Sequence, residues 1–294
     1  MLKQRHLVTN THRGILYMLA ASLLFALTMA FAKILSAHMG SVEVTFWRNS
    51  IGLIVILFTT FHTPIRNIGG RPFILIFRGV IGTVALLFFF YMISITSLSS
   101  AIIYAKTEPI FTALLAFILL REKLSKTVVS AIVIGFVGVV IMSGAQWNML
   151  HTMGILTGFL SALAYTSVRS LKALYDTRTV VLSFMIFGTM IPVILMGISH
   201  FVTPTGWEFM IQPFTTPVGV EWVWILSMGS IAALGQVFMT KAYFHAPAGF
   251  VSTVSYSVIL FATVLGMMLG DIAPTLTILA GGVLIVSSGV LLSL

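Results

Sequence analysis

Residues 98–120 read LSSAIIYAKTEPIFTALLAFILL. The segment is long enough to cross a bilayer, because about 20 apolar residues in a helix span the hydrocarbon core. Near its middle it carries Lys106 and Glu108, followed by Pro109, which lacks a backbone N–H and loosens a helix. Burying an ionisable group at such a depth costs free energy unless the group faces a cavity or a partner. The segment therefore predicts a membrane-spanning helix whose central charges need a partner or a ligand.

The rest of the chain has the same membrane character. Its 294 residues are 59% hydrophobic and 8% charged, whereas about 25% of the residues of a soluble protein are charged. The mean hydropathy is +1.09. A water-soluble domain is therefore excluded, and the apolar segments are too continuous for the alternating strands of a membrane barrel. We predict an all-α integral membrane protein.

The residue types also limit the chemistry. There is no cysteine, which excludes disulfides and thiol catalysis, and the seven histidines lack metal-binding spacing. We expect no metal and no cofactor. The net charge of +9 comes from basic residues that punctuate apolar segments and form no solvated patch. No nucleic-acid partner is therefore expected.

Polar residues, glycines and prolines divide the chain into ten apolar segments. The first follows a basic stretch as a signal peptide would, but it is too long for one, so we predict that it is retained. The one long connection, 202–219, is expected to be an interfacial loop with a short helix. The segments run approximately over 14–36, 42–61, 72–94, 98–120, 127–145, 152–174, 179–201, 220–243, 248–269 and 273–293.

Lysine and arginine residues lie in alternate connections. Because cytoplasmic loops retain positive charge, this partition predicts that both termini are cytoplasmic, with residues 1–13 as a cytoplasmic N-terminal segment. The basic residues assigned to the inner side are Lys3, Arg5, Arg13, Arg66, Arg71, Arg121, Lys123, Lys126, Lys172, Arg178 and Lys241.

The two halves of the chain begin alike. Gly14-Ile15-Leu16 opens the first segment and Gly154-Ile155-Leu156 opens the sixth. Each half has five segments, an odd number, so the second half must be inverted relative to the first. We predict an inverted repeat of residues 14–145 and 152–294 around a central cavity, an arrangement that recurs in secondary transporters.

The first half contains a family motif. Residues 109–116 (PIFTALLA), residues 120–124 (LREKL) and the glycines from Gly135 to Gly144 resemble the EamA-type repeat of the drug/metabolite transporter superfamily. The second half is a weaker copy. There Asp271 replaces the usual glutamate, and Ser257 stands where the first half has its helix-breaking proline.

The resemblance implies a ten-span carrier of the bacterial inner membrane, with spans one to four and six to nine around the cavity. Phe46-Trp47-Arg48, Arg71-Pro72-Phe73 and Arg78-Gly79 are similar to members that carry S-adenosylmethionine. Spans five and ten would be peripheral, and their small residues favour close packing and a homodimer through these spans. These small residues are Gly135, Gly138, Gly281, Gly282, Ser287, Ser288 and Gly289.

Charged, polar and aromatic residues within the spans are the candidate substrate-binding residues. Lys106 and Glu108 are the deepest pair, and one would bind substrate and the other substrate or a proton, unless each only pairs with another helix. Arg48 either binds a carboxylate through its guanidinium fork or extends to the outer interface. Lys33 is expected to extend to that interface. The full candidate set is Trp47, Arg48, Arg78, Tyr104, Lys106, Glu108, Arg169, Gln236 and Tyr256.

We therefore expect a secondary transporter that moves a small zwitterionic or anionic metabolite, such as an amino acid or S-adenosylmethionine, by alternating access. Lys106 and Arg48 would bind its acidic group and Glu108 an ammonium or sulfonium group, and proton coupling at Glu108 stays open. A multidrug or lipophilic-cation exporter of the same fold is the alternative. An intramembrane enzyme would need a His/Asp/Glu or Ser/His/Asp constellation at one depth, but the histidines lie near segment ends. We expect no enzyme activity.

Overall fold

The computed structural model describes residues 2–62, 65, 67–120, 125–143, 148–171, 174–202, 209–245, 251 and 254–293. Every regular element in these ranges is an α-helix. The helices are α1 (Leu2–Leu35), α2 (Ser41–His62), α3 (Pro72–Ile95), α4 (Leu98–Ala105), α5 (Glu108–Leu120), α6 (Lys126–Ser143), α7 (Met149–Leu171), α8 (Thr177–Ile198), α9 (Glu221–His245), α10 (Ser257–Met268) and α11 (Leu276–Ser293).

Most of these helices can cross a membrane. Within the described ranges, seven are long and apolar enough to do so, namely α1, α2, α3, α6, α7, α8 and α9. The shorter helices α10 and α11 are also apolar, and α4 and α5 together occupy the segment 98–120. The prediction of an all-α membrane protein is confirmed.

The first helix is longer than the predicted span. α1 starts at Leu2, and the assignment of residues 1–13 to a cytoplasmic segment stays a prediction. The stretch 2–13 contains neither glycine nor proline to end a helix, so the helix continues beyond its apolar part. The part of α1 that is long and apolar enough to span a membrane is His12–Leu35.

The loop between α8 and α9 packs over the start of α2. Its described part, 209–220, contains no helix; residues 203–208 lie outside the described residues, and the short helix stays a prediction. The Val42 N–H donates to Gln212 Oε1 over 3.3 Å, and the Thr215 N–H donates to Glu43 Oε2 over 2.9 Å. Glu43 is completely buried, and this contact fixes the loop to the first turn of α2.

The segment 98–120 is broken at two residues, Lys106 and Thr107, and is not one continuous helix. Pro109 explains the break, because it cannot donate to the helix ladder and its ring clashes with the preceding turn, although the first turn of a new helix tolerates it. The Thr107 hydroxyl closes the break by donating to the Tyr104 carbonyl oxygen over 2.7 Å. The two central charges of this segment therefore lie at helix ends.

The helices pack in pairs that join the two halves of the chain. α1 packs with α9, α2 with α8, α3 with α7, and α6 with α11, while α4 contacts α10. Each pair contains one helix from each half. The two halves therefore form one bundle with a shared interior.

Small residues make the contact between α6 and α11. A Cβ at Gly138 would lie only 2.7 Å from the Gly281 carbonyl oxygen. Beside them, the Ser288 hydroxyl donates to the Ala131 carbonyl oxygen over 2.6 Å. The small residues that favoured a homodimer thus hold these two helices together within one chain. The homodimer stays a prediction, and it needs another surface than this one.

We expect Gly138→Ala to destabilise the protein, because the added methyl group forces α6 away from α11. Overpacking of this kind costs about 1–3 kcal/mol and lowers the melting temperature of the purified protein in detergent. Gly197 in α8 is the matched control, since a Cβ there meets no described atom within 4 Å. Gly197→Ala should keep or raise the melting temperature. Equal melting temperatures for the two variants would contradict the tight contact.

Candidate functional site

The break between α4 and α5 faces the start of α10. Lys106 Nζ donates to Ser255 Oγ over 3.0 Å and lies 5.2 Å from the centre of the Tyr256 ring, a cation–π contact. The Tyr256 hydroxyl is buried without a hydrogen-bond partner in the described part of the chain, and it lies against Gly289 of α11. The structure thus brings together two of the predicted site residues, Lys106 and Tyr256.

Glu108 is the first residue of α5. Its Oε1 accepts a hydrogen bond from the Thr112 hydroxyl over 2.9 Å, and the N-terminus of a helix favours a carboxylate. Glu108 interacts electrostatically with Lys106 and Tyr256. The ion pairs formed by the described residues do not include one between Lys106 and Glu108. The carboxylate is therefore near the lysine but not in direct contact with it.

Two arginines from neighbouring helices lie on one aromatic ring. The guanidinium carbons of Arg48 in α2 and Arg78 in α3 are 5.4 Å and 4.7 Å from the centre of the Phe184 ring. Arg48 is 6% exposed, and its Nη1 donates to Asn49 Oδ1 over 2.9 Å. The buried Nε of Arg78 has no hydrogen-bond partner among the described residues. Phe184, on α8, holds both cations near each other.

Tyr165 of α7 connects the arginines with the carboxylate. Its phenol group interacts electrostatically with Glu108, Arg78 and Arg48, which belong to three different helices. Tyr165 is nevertheless 51% exposed, whereas Arg48 beside it is buried. The candidate set missed Tyr165 and Phe184. A phenol at the depth of the charges was a usable signal for Tyr165, whereas an apolar ring such as Phe184 gave none.

Two predicted aromatic residues lie outside this group. Trp47 Nε1 donates to Glu43 Oε1 over 3.1 Å, and its ring packs edge-on against Trp222 with ring centres 5.0 Å apart. Tyr104 is 2% exposed, and its hydroxyl is hydrogen-bonded to Nδ1 of His151. Both rings pack between helices, and their role in binding stays a prediction.

The last two candidates are Gln236 and Arg169. Gln236 is half-buried on α9, next to Gly235, which faces the Phe25 ring of α1. The side chain of Arg169 lies outside the residues that the structure describes. Both roles stay predictions.

An ion pair joins α1 to the loop between α10 and α11. Lys33 Nζ contacts the Asp271 carboxylate and donates to the Thr96 carbonyl oxygen over 2.8 Å. The other oxygen of Asp271 accepts a hydrogen bond from the Leu98 N–H over 2.8 Å, at the start of α4. We call Lys33, Thr96, Leu98 and Asp271 the clasp. Lys33 therefore has a counter-charge within the protein, and its extension to the interface stays a prediction.

Comparisons with known proteins agree with this architecture. Residues 12–144 match the EamA-like transporter family. An uncharacterized transporter of Helicobacter pylori is 33% identical over 96% of this chain and 94% of its own. A pseudopaline exporter of Pseudomonas aeruginosa is 29% identical over 95% of both chains. An S-adenosylmethionine uptake transporter of Rickettsia felis is 21% identical over 87% of this chain and 83% of its own.

A helical membrane protein with ionisable groups gathered inside its bundle is typical of transporters, and the relatives are named as transporters and not as enzymes. The chain belongs to the EamA-like transporter family, in the drug/metabolite transporter superfamily. The family resemblance found in the sequence is confirmed. The Rickettsia relative is consistent with the resemblance to S-adenosylmethionine carriers.

The clasp predicts strong coupling between Lys33 and Asp271. We expect Lys33→Ala and Asp271→Ala each to lower the melting temperature, because each leaves a partly buried charge without its partner. The double variant should be little worse than either single one. A double-mutant cycle measured by chemical unfolding should give a coupling of about 1–3 kcal/mol.

The control cycle uses Asp176 and Arg178 at the start of α8, an ion pair with side chains 24% and 26% exposed. The Arg178 hydrogen bond holds the pKa of Asp176 below its usual range. The stabilisation that this ion pair gives the folded protein is therefore present at neutral pH and is lost as the pH falls through the pKa of Asp176. At neutral pH this coupling should be smaller than the coupling between Lys33 and Asp271, because solvent screens an exposed ion pair. If the losses in the free energy of unfolding caused by Lys33→Ala and Asp271→Ala simply add up in the double variant, the clasp is contradicted.

Proposed function

We propose that the chain is a secondary transporter that carries a small zwitterionic or anionic metabolite across the bacterial inner membrane by alternating access. The observation that supports it is the cluster of Arg48, Arg78, Lys106 and Glu108 beside the half-exposed Tyr165. Ionisable groups within a membrane bundle are expensive and typical of substrate pathways. The cations bind the acidic group of the substrate, and Glu108 binds its ammonium group.

The proposed architecture has ten spans in two inverted halves, residues 14–145 and 152–294, with α4 and α5 as one broken span. The pairing of the helices supports it. When the helices are numbered as spans, span one packs with span eight, and span three packs with span six. If the two halves of the chain are exchanged, the first of these pairs becomes the second. The pairs formed by the second and seventh, fourth and ninth, and fifth and tenth spans are each unchanged by this exchange. A pseudo-two-fold axis between the halves produces such a pattern.

The proposed orientation puts both termini in the cytoplasm, because basic residues then lie on the inner side. In this orientation the clasp closes the outer side of the bundle. Alternating access then requires the clasp to open in the other half of the cycle. The charged cluster would face the cytoplasm while the clasp is closed.

An exporter of lipophilic cations is the second candidate. It is favoured by the aromatic rings of Tyr165 and Tyr256 near the Glu108 carboxylate, since such rings attract cations. The presence of Arg48, Arg78 and Lys106 in the same cluster opposes it. The two candidates therefore differ in the charge of the ligand that they bind.

A thermal-stability screen of the purified protein tests the proposal. The ligands are amino acids, S-adenosylmethionine, nucleotides, quaternary amines and lipophilic cations. A ligand that binds only the folded protein raises the melting temperature of the protein. At a ligand concentration of 100 times the Kd, the free energy of unfolding increases by about 2.7 kcal/mol. We expect a zwitterionic or anionic class to do so, and Lys106→Ala and Glu108→Gln to lose the effect.

Matched controls are Lys126→Ala at the start of α6 and Glu221→Gln at the start of α9, outside the charged cluster. Both should keep the ligand-induced shift. Stabilisation by lipophilic cations alone would overturn the proposal in favour of the second candidate. A shift that all four variants lose equally would also contradict it.

Proton coupling is tested at the same carboxylate. In proteoliposomes that contain the ligand found by the screen, we expect transport to depend on an imposed pH gradient and Glu108→Gln to abolish that dependence. The amide has a similar shape but cannot bind or release a proton in this range. Glu221→Gln is the control. Unchanged pH dependence in Glu108→Gln would exclude this carboxylate as the proton carrier.

A further inference from the structure

Arg48 and Arg78 are a pair of cations without a counter-charge among the described residues. Both guanidinium carbons lie within 5.4 Å of the centre of the Phe184 ring, and the two charges repel each other. The ion pairs in the described part of the chain involve neither arginine. Two like charges in an apolar surrounding destabilise the protein when no described carboxylate pairs with them. Another interaction is needed to stabilise this pair.

The aromatic ring does not supply that interaction in full. A cation–π contact is worth about 0.5–2 kcal/mol and does not neutralise the charge. Each guanidinium group has five N–H donors. Nη1 of Arg48 uses one of them on Asn49, whereas the buried Nε of Arg78 finds no described acceptor. The pair therefore lacks an oxyanion.

Both arginines are held in position before any ligand binds. Asn49 Nδ2 donates to the Thr45 carbonyl oxygen over 2.8 Å, which leaves the amide oxygen of Asn49 to accept from Arg48. Arg78 lies over Gly82, one turn further along α3, where a Cβ would collide with its guanidinium group. A ligand that binds to a preorganised pair loses less free energy in ordering it.

The charge of the cluster limits the charge of the substrate. Among the described residues, Tyr165 interacts electrostatically with Arg48, Arg78 and Glu108, and Lys106 interacts with Glu108, so three cations and one carboxylate belong to the cluster. A simple amino acid adds one positive and one negative charge, so the excess of cations stays unchanged. A substrate with one more acidic group reduces this excess and supplies the oxyanion that the arginines lack.

We infer that Arg48, Arg78 and Phe184 form a subsite for a second acidic group, so that the substrate is an α-amino acid with an additional carboxylate. The inference rests on the proposed function and divides its cations: Lys106, together with Glu108, binds the amino-acid head, and the two arginines bind the second acidic group. A carboxylate matches the guanidinium fork through two parallel hydrogen bonds.

The test compares α-amino dicarboxylic acids of increasing length, from aspartate to 2-aminopimelate, with their side-chain amides. Each acid and its amide have nearly the same size and differ by one charge. Titration of the full-length protein in detergent gives their Kd values. We expect an acid to bind at least about tenfold more tightly than its amide, equivalent to about 1.4 kcal/mol.

Variants of the two arginines show whether binding needs the planar pair of N–H donors or only the positive charge. Arg48→Lys and Arg78→Lys keep the cation but lose the planar pair of donors, and we expect the acid preference to fall to about threefold or less. Gly82→Ala should reduce the preference as well, because it displaces Arg78 without removing it. Gly197→Ala is the control and should keep the full preference.

The outcomes distinguish this subsite from the proposed function. Equal binding of acid and amide by the native protein, with both lost in Lys106→Ala, would overturn the subsite and leave the proposed function intact. Failure of every acid and amide to bind would overturn the subsite, and it would overturn the proposed function as well only if no other zwitterion or anion of the thermal-stability screen stabilises the protein. Tighter binding of O-phosphoserine than of any dicarboxylic acid would show that the subsite accepts phosphate, and would overturn the carboxylate assignment.

Discussion

A charge inside an apolar helix bundle needs a partner, and the described part of this protein is organised around that requirement. Lys33 has Asp271 as its counter-ion. Glu43 is completely buried and accepts two N–H groups. Arg48 and Arg78 have no described carboxylate and share one ring. The degree of pairing thus separates charges that hold helices together from charges that are available to a ligand.

The break in the segment 98–120 is what makes a charged site compatible with close packing. A continuous helix would satisfy its backbone groups internally and direct Lys106 and Glu108 to different faces. At the break, Lys106 reaches the start of α10 while Glu108 opens a new helix. Close contacts elsewhere, such as the one between α6 and α11, keep the bundle together around this irregular point.

The sequence predicts the fold class well because length and hydropathy are local properties, and the bilayer selects helices that satisfy their own backbone. Lys106 and Glu108 were identifiable for the same reason, since a charge is conspicuous in an apolar segment. Phe184 was not, because it is one of 23 phenylalanines and acquires its role only when α8 packs near α2 and α3. The partner of Lys33 lies 238 residues away in the chain, so only the packing of the helices identifies it.

Two short helices link the clasp to the charged cluster. α4 begins at Leu98, which donates to Asp271, and ends beside Lys106. α10 begins after Tyr256 and ends shortly before Asp271. A Cβ at Gly266 of α10 would lie 3.3 Å from the Leu98 Cβ, so the two helices are closely packed.

The eight residues of α4 span about 12 Å. α4 is therefore a short element that connects the N–H group bound to Asp271 with the helix end beside Lys106. Coupling between two sites needs an element that both of them bias, and α4 touches both.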